Sequence, residues 1–166
     1  MRRKYFFVIL FLILAMFLSG CGTTPDDNDE FIACISELHT PEKIGNYMLE
    51  NFTYEIHDFY TLSPYELWKT KKGDCDDFSA FGVFVADYHG YTTWQIKIFD
   101  GSSYSHYVAV YDEDIWLSIT DNRNYDYGFN TFREIVDDVC DIRDKVWTRY
   151  IVYDYWDDIV EDVDNN

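Results

Sequence analysis

Basic residues are scarce in this 166-residue chain: 13 Lys and Arg stand against 31 Asp and Glu, a formal net charge of −18. A surface so acidic repels phosphate backbones and anionic head groups, which excludes nucleic acid as a partner and leaves cationic groups and metal ions. No apolar run is long enough to span a bilayer. The longest, Tyr5 to Leu18, falls short of the ~20 residues that cross the hydrocarbon core. No internal repeat and no second domain can be read. Aromatic residues, by contrast, make up 20% of the chain, which argues for a packed domain over a disordered tether.

Arg2, Arg3 and Lys4 precede that apolar run, giving it the flanks and length of a signal-peptide core. It ends in Leu18-Ser19-Gly20-Cys21, which resembles the lipobox of bacterial lipoproteins. The resemblance implies cleavage after Gly20, acylation of Cys21 and attachment to the extracytoplasmic face of the cell membrane, where several acyl chains anchor stably. The expected organisation is a signal peptide over 1–20, an anchor and polar spacer over 21–29, one domain over 30–156 and a fraying acidic tail over 157–166. Loss of residues 1–20 removes three basic residues and no acidic one, leaving 10 against 31 and a net charge of −21. Three further cysteines remain, Cys34, Cys75 and Cys140, an odd number for an exported chain. Cys34 and Cys140 lie at opposite ends of the domain and are candidates for a disulfide.

Helix starts are the clearest local signals. A first helix is expected from about Glu30 to Leu38. Thr40 caps a second, with Pro41 at its first position and Ile44, Tyr47 and Met48 on one face. Ser63-Pro64-Tyr65-Glu66 is a capping box that opens a third, stopped by Gly73. Asp74, with Asp77 three residues on, opens a fourth from Cys75 to Tyr88, ending at Gly90. Its buried stripe is Phe78, Phe81, Val85 and Tyr88, and Cys75 extends that stripe at the helix tip.

Period-two segments follow. Trp94, Ile96 and Ile98 alternate with polar residues, and Asp100–Ser103 forms a turn. Ser105–Tyr111 and Ile115–Thr120 read as a hairpin. A two-residue loop at Glu113-Asp114 would pair Val110 with Leu117 and Val108 with Ile119, and so set His106 opposite Asp121. Asn122–Asn130 reads as a polar loop, Thr131–Cys140 as a helix and Val146–Tyr155 as the last strand. Trp94, Trp116 and Trp147 are expected in the core; His39, His57 and His89 have no visible partner and are expected at the surface or in structural roles.

Cys75, His106 and Asp121 thus converge in order. A helix N-terminus favours thiolate, an imidazole takes the thiol proton, and a carboxylate on the far ring nitrogen fixes its tautomer. Lys72-Gly73-Asp74-Cys75-Asp76-Asp77-Phe78, His106-Tyr107-Val108-Ala109-Val110 and Trp116 to Asn122 resemble the transglutaminase-like superfamily, most nearly its bacterial cysteine proteinases. Phe52-Thr53-Tyr54, Asp58 and Ser63–Glu66 fit the segment before the nucleophile. The resemblance covers about Asn51 to Asn122. It implies an α+β, papain-like core with the nucleophile helix packed on a small antiparallel sheet. It also implies thiol acyl transfer on protein or peptide amides, with Cys75, His106 and Asp121 as the catalytic residues. The backbone N–H of Cys75 and the Tyr54 hydroxyl are the candidate oxyanion donors.

Asp74, Asp76 and Asp77 crowd the thiol and oppose its ionisation. Asp77 is expected to turn away into a capping or core-edge hydrogen bond. Asp74 and Asp76 either cap the helix or hold calcium, a cation that prefers oxygen ligands; no other cofactor is called for. Two other functions compete with the enzyme. One is a binding module that keeps the fold without turnover. The other is an NlpC-like peptidoglycan hydrolase, whose Asp-Cys-Ser-Gly nucleophile pattern Asp74-Cys75-Asp76-Asp77 does not match.

Overall fold

The alternation around Ile96 and Ile98 builds a strand at the middle of a six-stranded antiparallel sheet. The computed structural model describes residues 27–57, 60–102 and 105–165. The expected signal peptide, Cys21 and residues 22–26 of the spacer lie outside them, as do Asp58 and Ser103. Among the described residues no helix is long and apolar enough to cross a membrane. In chain order the elements are α1 (Asp27–Ser36), α2 (Pro41–Asn51), β1 (Thr53–Tyr54), α3 (Pro64–Thr70), β2 (Lys72–Gly73), α4 (Cys75–Tyr88), β3 (Thr93–Phe99) and β4 (Ser105–Asp112). They continue with β5 (Leu117–Asp121), β6 (Asn124–Phe129), α5 (Phe132–Ile142), β7 (Arg149–Asp154) and β8 (Ile159–Asp164). The sheet runs β6-β5-β4-β3-β7-β8, while β1 and β2 form a separate parallel pair. Residues 31–166 make one compact unit. The architecture is α+β with the helix that carries Cys75 packed on an antiparallel sheet, as expected.

Both sheet faces are covered. Ile96, Ile98, Val108, Val110 and Ile119 meet Ile135, Val136, Val139 and Cys140 of α5. Ala109 and Tyr111 point the other way, into a core with Ile35, Ile44, Met48, Leu67, Phe78 and Phe81 from α1 to α4. Full burial of a side chain of this size stabilises by about 1.5–3 kcal/mol. The helix starts follow the local signals. Thr40 accepts the Lys43 N–H at 3.3 Å, and Ser63 and Glu66 close a reciprocal capping box.

Several expectations are corrected. Residues 27–29 are helical, not spacer. Helix α3 ends with Lys71 in a left-handed conformation, and Gly73 belongs to β2. Tyr88 and Trp116 are 48% and 38% exposed; Tyr88 falls past the buried stripe, and Trp116 sits in a turn. Residues 124–129, read as loop, form β6 on β5. Cys34, Cys75 and Cys140 are all free thiols, since Cys34 lies on α1, whose Phe31 and Ile35 pack on one side of the sheet, and Cys140 on α5, on the other.

The hairpin register also differs. Val110 pairs with Ile119 and Val108 with Asp121, two residues from the expected alignment. A two-residue slip leaves every side chain on its own face, so the apolar pattern cannot distinguish the two. The turn geometry decides: it spans four residues, with Asp114 at φ +67°.

The acidic tail does not fray: 159–164 pairs with β7 as an edge strand. Arg149 forks onto Asp162 at 2.8 and 2.6 Å, and the Tyr150 hydroxyl donates to Glu161, so the charge that argued against a strand is paired. Deleting residues 159–166 is expected to lower the melting temperature by roughly 5 °C or more, the shift that a loss of about 2 kcal/mol gives a domain of this size. It should also cause aggregation through the bared β7 edge. Thermal melts with light scattering check both.

Candidate active site

Asp77 organises the surroundings of Cys75. It is fully buried, and a buried carboxylate needs donors. Its Oδ2 accepts the Asp74 N–H at 2.8 Å and faces His57 Nε2 at 2.5 Å; its Oδ1 accepts the Leu62 N–H at 2.6 Å. Asp77 therefore turns away from the thiol, as expected, and ties the segment before α3 to the tip of α4. His57, expected to have no partner, has this one, and the hydrogen bond to Asp77 raises its pKa. A Cβ on Gly73 would lie 2.5 Å from Asp77 Oδ2, so the close approach admits only glycine.

Cys75 and His106 line one cavity of about 560 Å³. Ile56, Ile98 and Val139 give it apolar walls, and Asp100, Arg143 and Lys145 bring charge to it. Tyr54 lines the same cavity, carried there by the pairing of β1 with β2 (Tyr54 opposite Gly73). Asp121 joins through His106, whose Nε2 stands 2.7 Å from Asp121 Oδ1. Because Asp121 pairs with Val108, the contact is diagonal across the ladder. Arg143 Nη2 donates to the same Oδ1 at 2.6 Å. Sequence reading missed both Arg143 and the His57–Asp77 pair. Arg143 follows Val139 and Cys140 by one helical turn, which is the one signal that it shares their cavity.

Burial pushes the Cys75 thiol up to about 11; the Tyr107 backbone N–H opposes this, and the charges of Asp74 and Asp76 add to it. Burial also raises Asp121, but His106 and Arg143 outweigh it and hold that carboxyl below the ordinary range. Asp74 is pushed up to about 7, first by burial, then by its hydrogen bond to Asp76 and the charges of Asp76 and Asp77. Asp76 goes the other way. Burial raises it, yet hydrogen bonds from Asp74, the Thr61 hydroxyl and backbone N–H groups leave it lowered. The two carboxyls are thus pushed in opposite directions, Asp74 up and Asp76 down.

The His57, Asp74 and Asp77 ligand atoms lie within 4.8 Å of one another. This trio suits calcium poorly. It includes a nitrogen, and His57 already hydrogen-bonds Asp77 without room for an ion between them. Asp74 with Asp76 fits better: Asp74 Oδ1 is buried without a partner, and the neighbouring Asp76 carboxylate would add a second oxygen ligand.

No protein-family model matches the chain, and no curated protein matches it by sequence. Solved structures do match in fold. Legionella pneumophila LapG, EGTA-treated, is 16% identical with a TM-score of 0.53, covering 77% of this chain and 75% of that one. A second LapG structure is 16% identical at 0.52, with 77% of each chain covered. Calcium-bound LapG is 15% identical at 0.50, again with 77% of each. This chain is thus similar in fold to LapG.

Proposed function

We propose that this chain is a thiol acyl-transfer enzyme acting on protein or peptide amide bonds at the outer face of a cell membrane. The observation that carries the reading is a cavity shared by Cys75 and His106, with Asp121 hydrogen-bonded to the imidazole. Nε2 is engaged by Asp121, so Nδ1 is the nitrogen that takes the thiol proton. Cys75 Sγ attacks the carbonyl carbon, and the oxygen gains charge beside two candidate donors. These are the Cys75 backbone N–H, which has no intrahelical acceptor in the first turn, and the Tyr54 hydroxyl. His106 returns the proton to the departing amine, leaving a thioester. Water or a second amine then attacks the thioester carbon, His106 takes its proton, and the carbon–sulfur bond breaks as that proton passes to the departing Cys75 sulfur.

Incubation with a peptide library, followed by mass spectrometry, separates the outcomes. New N-termini mean peptidase activity, loss of ammonia means deamidation, and a joined pair of peptides means crosslinking. No change in any peptide would contradict the enzyme reading. Anchoring rests on Leu18–Cys21 alone; metabolic labelling with palmitate, abolished by Cys21→Ala, is the expected result.

One feature favours a binding module: burial pushes the Cys75 thiol up to about 11, away from the thiolate that an unaided nucleophile needs. A thiol beside an imidazole still attacks with general-base help, which is why the enzyme reading leads. Calcium is part of the proposal. LapG has a calcium-bound structure, and Asp74 and Asp76 are the ligands this chain would offer; a dication there would offset the carboxylates that oppose ionisation of Cys75.

The pH dependence follows from Asp74. Its raised pKa means the native state holds the proton more tightly than the unfolded chain. That contribution is full below about pH 4 and is lost as pH rises through about 7. In calcium-free buffer, Asp74→Asn is expected to raise stability at pH 8 by on the order of 1 kcal/mol after solvent screening, and to change nothing near pH 4. Calcium should raise the wild-type melting temperature at pH 8 and leave Asp74→Asn unmoved. Thermal melts across pH, with and without EGTA, check both.

A further inference from the structure

Arg143 is the group in the cavity that the proposed chemistry leaves unused. We propose that it is a positioning residue, the third point that holds the Asp121 carboxylate in the orientation His106 requires. The proposal rests on the acyl-transfer reading above.

The register of the hairpin makes such a residue necessary. Where two residues lie directly opposite on an antiparallel pair, the ladder itself brings their side chains together. His106 and Asp121 are not opposite; Asp121 pairs with Val108. Diagonal neighbours have Cα atoms about 7–8 Å apart, so the carboxylate must lean along the sheet to meet the imidazole. One hydrogen bond, Nε2 to Oδ1 at 2.7 Å, does not fix that lean. Arg143 meets the same oxygen from another direction at 2.6 Å.

The platform beneath Arg143 is rigid. Helix α5 is capped by Thr131 and seated on the sheet by Ile135, Val136, Val139 and Cys140, all buried. Arg143 is its C-cap, where the helix dipole favours a cation. The side chain is one-third exposed (33%) and lines the cavity, whereas that of Asp121 is 15% exposed. The cavity's other cation, Lys145, pairs with Asp100 at 3.2 Å, so Arg143 is the lining cation paired with Asp121.

The test is the rate of iodoacetamide alkylation of Cys75 at neutral pH, read peptide by peptide with Cys34 as internal reference, in wild type, Arg143→Ala and Arg143→Lys. Arg143→Ala is expected to slow Cys75 alkylation about tenfold, part of the 10²–10⁴ that a placed general base supplies. Millimolar guanidinium chloride, far below denaturing levels, is expected to restore most of the rate by filling the vacated space. Arg143→Lys, which keeps the charge without the planar fork, should fall between. A loss that guanidinium does not restore, accompanied by a lowered melting temperature, would mean a structural role only and overturn the proposal. So would an unchanged rate. Should Arg143→Ala not fold, Arg143→Gln serves with the same readout. Wild-type Cys75 that alkylates no faster than in His106→Ala would instead overturn the underlying acyl-transfer reading, so the two failures are distinguishable.

Discussion

Asp77→Ala is expected to destabilise the domain by about 3–5 kcal/mol, the range for breaking a buried polar network by removing one partner. Three groups depend on this carboxylate: the Asp74 and Leu62 N–H groups and the His57 ring. A buried donor left without its acceptor costs about 1–3 kcal/mol, and water can reach only part of the space, since Asp77 is fully buried. The damage is also local. With its capping box gone, the first turn of α4 loosens, and Cys75 is the first residue of that turn. Asp77→Asn keeps the shape and one acceptor, so it should lose roughly half as much. Urea unfolding checks both; an alanine variant within about 1 kcal/mol of wild type would contradict the network described.

His106→Ala is expected to cut acylation of Cys75 by on the order of 10²–10⁴-fold at neutral pH, the range that general bases supply. The large effect follows from the state of the thiol. Burial pushes Cys75 up to about 11, which disfavours the thiolate, so attack depends on a base that takes the proton as the bond forms. His106 is 18% exposed in its side chain, and Arg143 still donates to the Asp121 carboxylate in its absence, so stability should change little. Asp121→Asn should reduce the rate less than His106→Ala while leaving the imidazole in place. Stopped-flow acylation together with urea unfolding separates a chemical loss from a structural one.

What was legible in the sequence was local or periodic. Thr40-Pro41, Ser63-Pro64-Tyr65-Glu66 and Asp74 to Asp77 each carry a helix start within four residues, and α2, α3 and α4 begin where those signals put them. The alternation at Ile96, Ile98, Val108 and Val110 fixed faces, and so placed His106 and Asp121 on the same side. It did not fix register beyond parity, because the turn at 113–116 depends on the backbone of Asp114, about which no residue type there gives a rule. Strand β8 was hidden because Glu161, Asp162 and Asp164 read as solvated charge; their partners, Tyr150 and Arg149, become neighbours only once β7 and β8 pair. The same holds for Arg143 with Asp121 and for His57 with Asp77, 22 and 20 residues apart. Such pairings are made by the fold, and no spacing along the chain announces them.

The most direct measurement is the reaction of the protein with p-nitrophenyl acetate, an activated ester that reports a nucleophilic thiol without knowledge of the natural substrate. A burst of one p-nitrophenolate per chain is expected, with a single acetyl group on Cys75 by mass spectrometry and no burst in Cys75→Ala or His106→Ala. Slow release without a burst, with acetyl groups spread over Cys34, Cys75 and Cys140 according to exposure and indifferent to His106, would contradict the account and leave the fold as a binding module.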